Sequence, residues 1–70
     1  MSIEYLPHAR LRMKERSVSE AEVEECLSNW TTCYTDKKGN SIFKAIVNGR
    51  GIKVVVTKEN QNLVITVADY

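Results

Sequence analysis

Apolar residues recur first at helical and then at strand spacing, and the change comes near Thr31. Leu6, Ala9 and Met13 share one stripe of a helix predicted over Pro7–Arg16. Pro7 suits its first turn, because the N–H that proline lacks would have no partner there. Leu6 is a poor N-cap, so this end is to be held by packing or by Ser2. Ahead of it, Ile3 and Tyr5 alternate with Ser2 and Glu4 in a short extended lead-in. Ser19 followed by Glu22 forms a capping box, and Val18 with Val23 fits the hydrophobic staple around it. Val23, Cys26, Leu27 and Trp30 give the apolar stripe of a second helix that ends near Asn29.

The period then becomes strand-like. Four strands are predicted, over Thr31–Asp36, Ser41–Val47, Gly51–Thr57 and Leu63–Asp69. Lys37 to Asn40 supplies one turn, and Asn48-Gly49 is a strong hairpin signal because both residues tolerate positive φ. The resulting class is α+β: two helices packed on one face of a four-stranded antiparallel meander sheet, in one domain over 1–70. Apolar residues occupy both faces of the strands. Ile42 and Ile46 are out of phase with Phe43, Ala45 and Val47, and Val55 is out of phase with Ile52, Val54 and Val56. Two readings follow: an apolar outer face that holds a partner, or a curled sheet that encloses a second small core. Trp30 and Tyr34 are assigned to the core.

A core in a chain this short rarely supplies more than about 3–5 kcal/mol, so a partner or very regular packing is expected to help. No signal peptide opens the chain, and no apolar run approaches the roughly 18 residues of a membrane span. A cytoplasmic location follows, with Cys26 and Cys33 as reduced thiols and no membrane association. Two Cys and one His without close ligand spacing give no metal site, and no cofactor is expected.

Net charge is +1, which counts against binding bulk nucleic acid, and no DNA partner is expected. The distribution is lopsided. The first helix carries Arg10, Arg12, Lys14 and Arg16 against Glu15 alone, while the second carries Glu20, Glu22, Glu24 and Glu25 with no cation. Such asymmetry can focus an anion on one side. His8, Arg12 and Arg16 fall at i, i+4 and i+8 and stack along one stripe. Imidazole exchanges a proton near neutral pH, and guanidinium is a planar fork suited to phosphate.

His8-Ala9, Arg12-Met13, Glu15-Arg16, Val18-Ser19 and Glu22-Val23 resemble the opening of short bacterial proteins grouped as domain of unknown function forty-two fifty-eight. Tyr34, Asp36, Lys38-Gly39-Asn40 and Val54-Val55-Val56 are similar to that family's strands. The chain departs from the family pattern at Pro7, where Ser or Thr is usual. That family is similar in layout to the RelE and barnase-like nucleases, which include toxins that cleave RNA. The resemblance implies a RelE-like toxin-type ribonuclease with a site at His8 and Arg12, and RNA as partner.

Metal-free cleavage of RNA needs a base for the 2′-OH, an acid for the leaving oxygen and cations on the phosphate. His8 and Arg12 are the catalytic candidates. Arg16, Lys44 and Lys53 would hold phosphate, and Tyr34 or Tyr70 would stack on a base. With no second His, the acid falls to Glu15, Tyr70 or a Lys. The plainer reading makes His8 a fold residue and pairs Arg12 and Arg16 with Glu20 or Glu24, tying the helices together. The functional alternative is a non-catalytic interaction module that binds an antitoxin or a second copy through the outer sheet face.

Overall fold

The computed structural model describes residues 3–70. Seven elements follow in order: β1 (Glu4–Tyr5), α1 (Pro7–Arg16), α2 (Glu20–Ser28), β2 (Thr32–Thr35), β3 (Ser41–Val47), β4 (Arg50–Val56) and β5 (Leu63–Asp69). Both helices fall where the apolar period puts them, and β3 and β5 match the predicted bounds. Ser2 as a holder of the first helix lies outside the described residues.

α1 begins at Pro7 behind Leu6, which is extended and gives no side-chain cap. Its start is fixed by the backbone instead: the Leu6 N–H donates to Val64 O at 3.1 Å. It ends at Ser17, whose φ of 55° turns the chain into the left-handed region. α2 carries both halves of the capping box. The Glu22 N–H donates to Ser19 Oγ at 3.1 Å, and the Ser19 N–H donates to Glu22 Oε1 at 3.0 Å.

The sheet has five strands in the order β1-β5-β4-β3-β2. The expected four-stranded antiparallel meander is present as β2 to β5, but the lead-in adds a strand parallel to β5 and makes the sheet mixed. Two residues were too few for the Ile3/Tyr5 alternation to announce a strand. Pairing with Leu63 and Val64 creates it, and the whole chain from α1 to β4 lies between these two parallel neighbours.

Strand alternation sorts the side chains into two faces. Ile52, Val54 and Val56 of β4, Ala45 and Val47 of β3, and Val64 and Val67 of β5 pack with Ala9 and Met13 of α1, Val18 between the helices, and Val23 and Cys26 of α2. All are buried. Trp30 does not join them. It is 48% exposed, with its ring centroid 6.1 Å from that of Phe43 at the margin of the sheet, and Tyr34 is 42% exposed. The assignment of both to the core fails because α2 ends before Trp30 and β2 is an edge strand with all four residues exposed.

The second face is only partly apolar surface. Ile42 and Val55 lie side by side across β3 and β4 on the face away from the helices, yet each is only 8% exposed. Half-buried Lys44, Lys53, Ile65 and Thr66 surround them. Lysine stems cover apolar surface while their ammonium groups stay in water. Of the outer-face aliphatics, Ile46 alone is broadly open, at 61%.

Candidate nucleic-acid interface

The arginines of α1 are held by carboxylates. Arg12 Nη1 donates to Glu15 Oε1 at 3.1 Å, one turn along the same helix. Arg16 Nη1 donates to Asp69 Oδ1 at 2.7 Å, joining the end of α1 to the end of β5. Neither arginine reaches Glu20 or Glu24, the acids expected for them. Arg10 takes Glu20 at 2.8 Å instead, and its guanidinium also lies 4.8 Å from the Tyr5 ring centroid. His8 is exposed and makes no hydrogen bond or ion pair among the described residues.

Lys44 and Lys53 are placed differently. They stand directly opposite each other on β3 and β4. Ile52 and Val54 on either side of Lys53 point into the core, so both ammonium groups rise from the face away from the helices. Side chains so paired have Cβ atoms only about 4.5–5.5 Å apart, and like charges there repel. Among the described residues neither lysine has an ion-pair partner.

Two aromatic rings flank Lys44. Its Nζ lies 5.3 Å from the Tyr34 ring centroid and 5.1 Å from that of Tyr70. Tyr70 reaches this face because Gly51 leaves room for it. The Tyr70 N–H donates to Gly51 O at 3.2 Å, and a Cβ on Gly51 would come within 2.7 Å of Tyr70 O and 3.2 Å of its ring. Any side chain at position 51 would therefore displace Tyr70. Next to this cluster runs an open groove of about 490 Å³, with Ile42, Val55 and Ile65 in its lining and Lys37, Lys38 and Lys53 among its polar groups.

The six residues singled out in the sequence thus do not form one site. Lys44, Lys53 and Tyr70 come together on the outer face, while His8, Arg12 and Arg16 belong to the helix layer on the other side of the sheet. Helical stacking correctly aligned the latter three, but only the fold shows which face of the sheet α1 covers. Gly51 was missed as a seat for Tyr70, and its adjacency to the Asn48-Gly49 turn gave no separate signal. Lys37 and Lys38 are not among the phosphate candidates that the sequence singles out.

Arg50 has a structural post. Arg50 Nη1 donates to Arg16 O and Arg50 Nη2 to Ser17 O, each at 2.9 Å, and Nη2 also meets Glu22 Oε1 at 3.0 Å. It satisfies carbonyls left open at the end of α1 and fixes that end to the capping box of α2. The Ser19 N–H, the Asn48 amide and the Arg50 guanidinium together hold the Glu22 carboxyl below its ordinary value of 4.5. Burial pushes the Cys26 thiol up to about 11, so it is no nucleophile at neutral pH. Burial also raises the Tyr5 phenol, with Glu20 and Glu24 adding to the effect. Among the described residues, no three His, Cys, Asp or Glu side chains group as metal ligands, and no helix is long and apolar enough to cross a membrane.

No curated protein and no solved structure matches the chain significantly. A family model does match, across residues 5–69, which takes in every element from the second residue of β1 through β5. The chain belongs to that family, described as Domain of unknown function (DUF4258).

Proposed function

We propose that this protein acts on single-stranded RNA as a small RelE-like, toxin-type ribonuclease, and that the strand lies on the outer sheet face rather than along α1. The observation that carries this reading is the Lys44–Lys53 pair: two directly opposed ammonium groups without a carboxylate, one of them between two tyrosine rings. A phosphate between the lysines would turn their repulsion into attraction on both sides. Tyr34 and Tyr70 offer faces for bases, and stacking of this kind is worth about 1–3 kcal/mol per base. The arginines of α1 already have carboxylates and give less to an incoming phosphate.

Scission without a metal proceeds by attack of the 2′-OH on the neighbouring phosphate. The new P–O2′ bond forms as the P–O5′ bond breaks, the 2′-OH proton passes to solvent water, and negative charge builds on the phosphate oxygens. Lys44 and Lys53 are aimed at that charge. The Tyr70 phenol, beside Lys44, is the candidate proton donor to the 5′ oxygen. His8 stands across the sheet from this phosphate and takes no part.

A second reading, binding without scission, is favoured by one specific observation: among the described residues, no imidazole or carboxylate makes a hydrogen bond or ion pair with Lys44. A 5′-labelled RNA oligonucleotide separates the two. Wild-type protein is expected to bind and shorten it, with a DNA strand of the same sequence left intact, and Lys44→Met is expected to bind about tenfold more weakly and to shorten it less. Binding with no shortening favours the second reading. Equal binding by wild type and Lys44→Met contradicts both.

A further inference from the structure

β2 is an edge of the sheet, and from Thr31 to Thr35 it carries neither a charge nor a proline. The other edge is better guarded: β1 has only two residues, contains Glu4 and is followed closely by Pro7, while the exposed end of β5 bears Asp69. Sheets commonly protect their edges by such charges, prolines and short strands, and an edge without charge or proline is a template for another strand.

The hydrogen bonding of β2 says which groups are on offer. The Asp36 N–H donates to Asn40 O at 2.9 Å. In the alternation of an antiparallel pair, Thr32 and Tyr34 then turn their N–H and C=O groups toward β3, and Cys33 and Thr35 turn theirs outward. A two-fold axis beside Tyr34 makes this pattern complementary to itself. Cys33 of one copy would exchange both hydrogen bonds with Thr35 of the other, and the same exchange repeats across the axis.

We infer that β2 pairs antiparallel with β2 of a second copy of this chain, with Tyr34 facing Tyr34 at the axis. The strand's neutrality lets identical copies meet without like-charge repulsion. Tyr34 sits in the wider, non-hydrogen-bonded pair, where side chains approach most closely and an aromatic pair adds stability. Exposed Trp30, just before β2, is carried toward the Lys37–Lys38 turn of the second copy, an arrangement suited to cation–π contact. A small core also gains from an added subunit. The outer faces become continuous, so that the Tyr34, Lys44 and Lys53 groups of both copies share one surface. The pairing itself does not depend on RNA.

Sedimentation equilibrium over a micromolar concentration series tests this directly. Wild-type mass is expected to rise from one chain toward two. Thr35→Pro removes an outward N–H without touching a bond to β3, and is expected to stay a monomer with an unchanged far-UV circular dichroism spectrum. Leu11→Lys, on the exposed side of α1, is expected to dimerise like wild type. Should Thr35→Pro unfold, Cys33→Ser/Tyr34→Cys decides: oxidation is expected to give a covalent dimer, since facing Cα atoms in such a pair are about 4.5 Å apart. A wild-type monomer at every concentration, a Thr35→Pro dimer, or failure of that cross-link would each overturn the inference. A dimer lost on Ile46→Asp but kept in Thr35→Pro would move the interface to the outer face and overturn it too. Monomers that bind RNA normally would overturn this inference alone and leave the proposed function standing.

Discussion

The cations of α1 and those of β3 and β4 make an instructive pair. Arg10, Arg12 and Arg16 look like the stronger site in the chain, being close together and on one helix. Each ends on a carboxylate, at 2.8, 3.1 and 2.7 Å respectively. Lys44 and Lys53 are nine residues of sequence apart, yet the hairpin sets them opposite each other, and among the described residues neither forms an ion pair, although Asp36 lines the groove beside Lys53. Local charge density therefore misleads when a fold brings its own counter-ions. What marks a binding group is charge that the fold gathers and leaves without a partner, at the cost of cross-strand repulsion.

The contrast is sharpest in RNA affinity. Lys44→Met and Lys53→Met keep an unbranched apolar stem beside the Ile42–Val55 pair and remove only the charge. Each is expected to weaken binding about tenfold, and the pair about a hundredfold, as read by fluorescence anisotropy. Each lost phosphate contact should also lower the slope of log K against log salt by about 0.7. Melting temperatures should not fall, because a repulsion has been removed.

Arg50 is expected to give the largest loss of stability among the cations. Arg50→Ala takes the side-chain donor from two helix-end carbonyls and one of several donors from the Glu22 carboxylate, and should cost about 2 kcal/mol in chemical denaturation. In a domain of this size that is a fall in Tm of about 10 °C. Arg50→Lys should recover only part of it, since a single ammonium cannot reproduce the fork. RNA affinity should be unchanged.

A pH series separates Glu22 from the other acids. Its carboxyl lies below 4.5 in the folded chain, so the unfolded chain binds the proton more readily. The stability it contributes is present above 4.5 and is lost as pH falls through the lower folded value. Denaturation curves of Glu22→Gln should therefore be less stable at neutral pH and show a shallower decline on the acid side. Smallest of all, Arg16→Ala and Arg12→Ala break ion pairs that are well exposed to solvent. Each should cost no more than about 1 kcal/mol, with RNA binding kept, and His8→Ala should change neither stability nor affinity.

Much of the fold was legible because its signals are local. Ser19 and Glu22 announce α2, Pro7 opens α1, and Asn48-Gly49 makes the β3–β4 turn, where φ is 53° and 78°. β1 was not legible as a strand, because two residues acquire that state only by pairing with β5. The same limit hid the division of the candidate site. Spacing aligns His8 with Arg12 and Arg16, but nothing local reveals that Asp69, at the far end of the chain, takes Arg16. Equally, the two-sided apolar pattern of β3 and β4 does not show that Ile42 and Val55 are each left only 8% exposed on the outer face. Tyr34 read as a core aromatic because its strand was not yet known to be an edge.

One measurement tests the central claim most directly: binding of a labelled single-stranded RNA by Lys44→Met/Lys53→Met and by Arg12→Ala/Arg16→Ala, at one salt concentration, with Tm recorded for both. The account predicts that the lysine pair loses affinity and keeps its Tm, while the arginine pair keeps its affinity and loses Tm. The reverse outcome, RNA held by the arginines and indifferent to the lysines, would return the site to α1 and contradict the account.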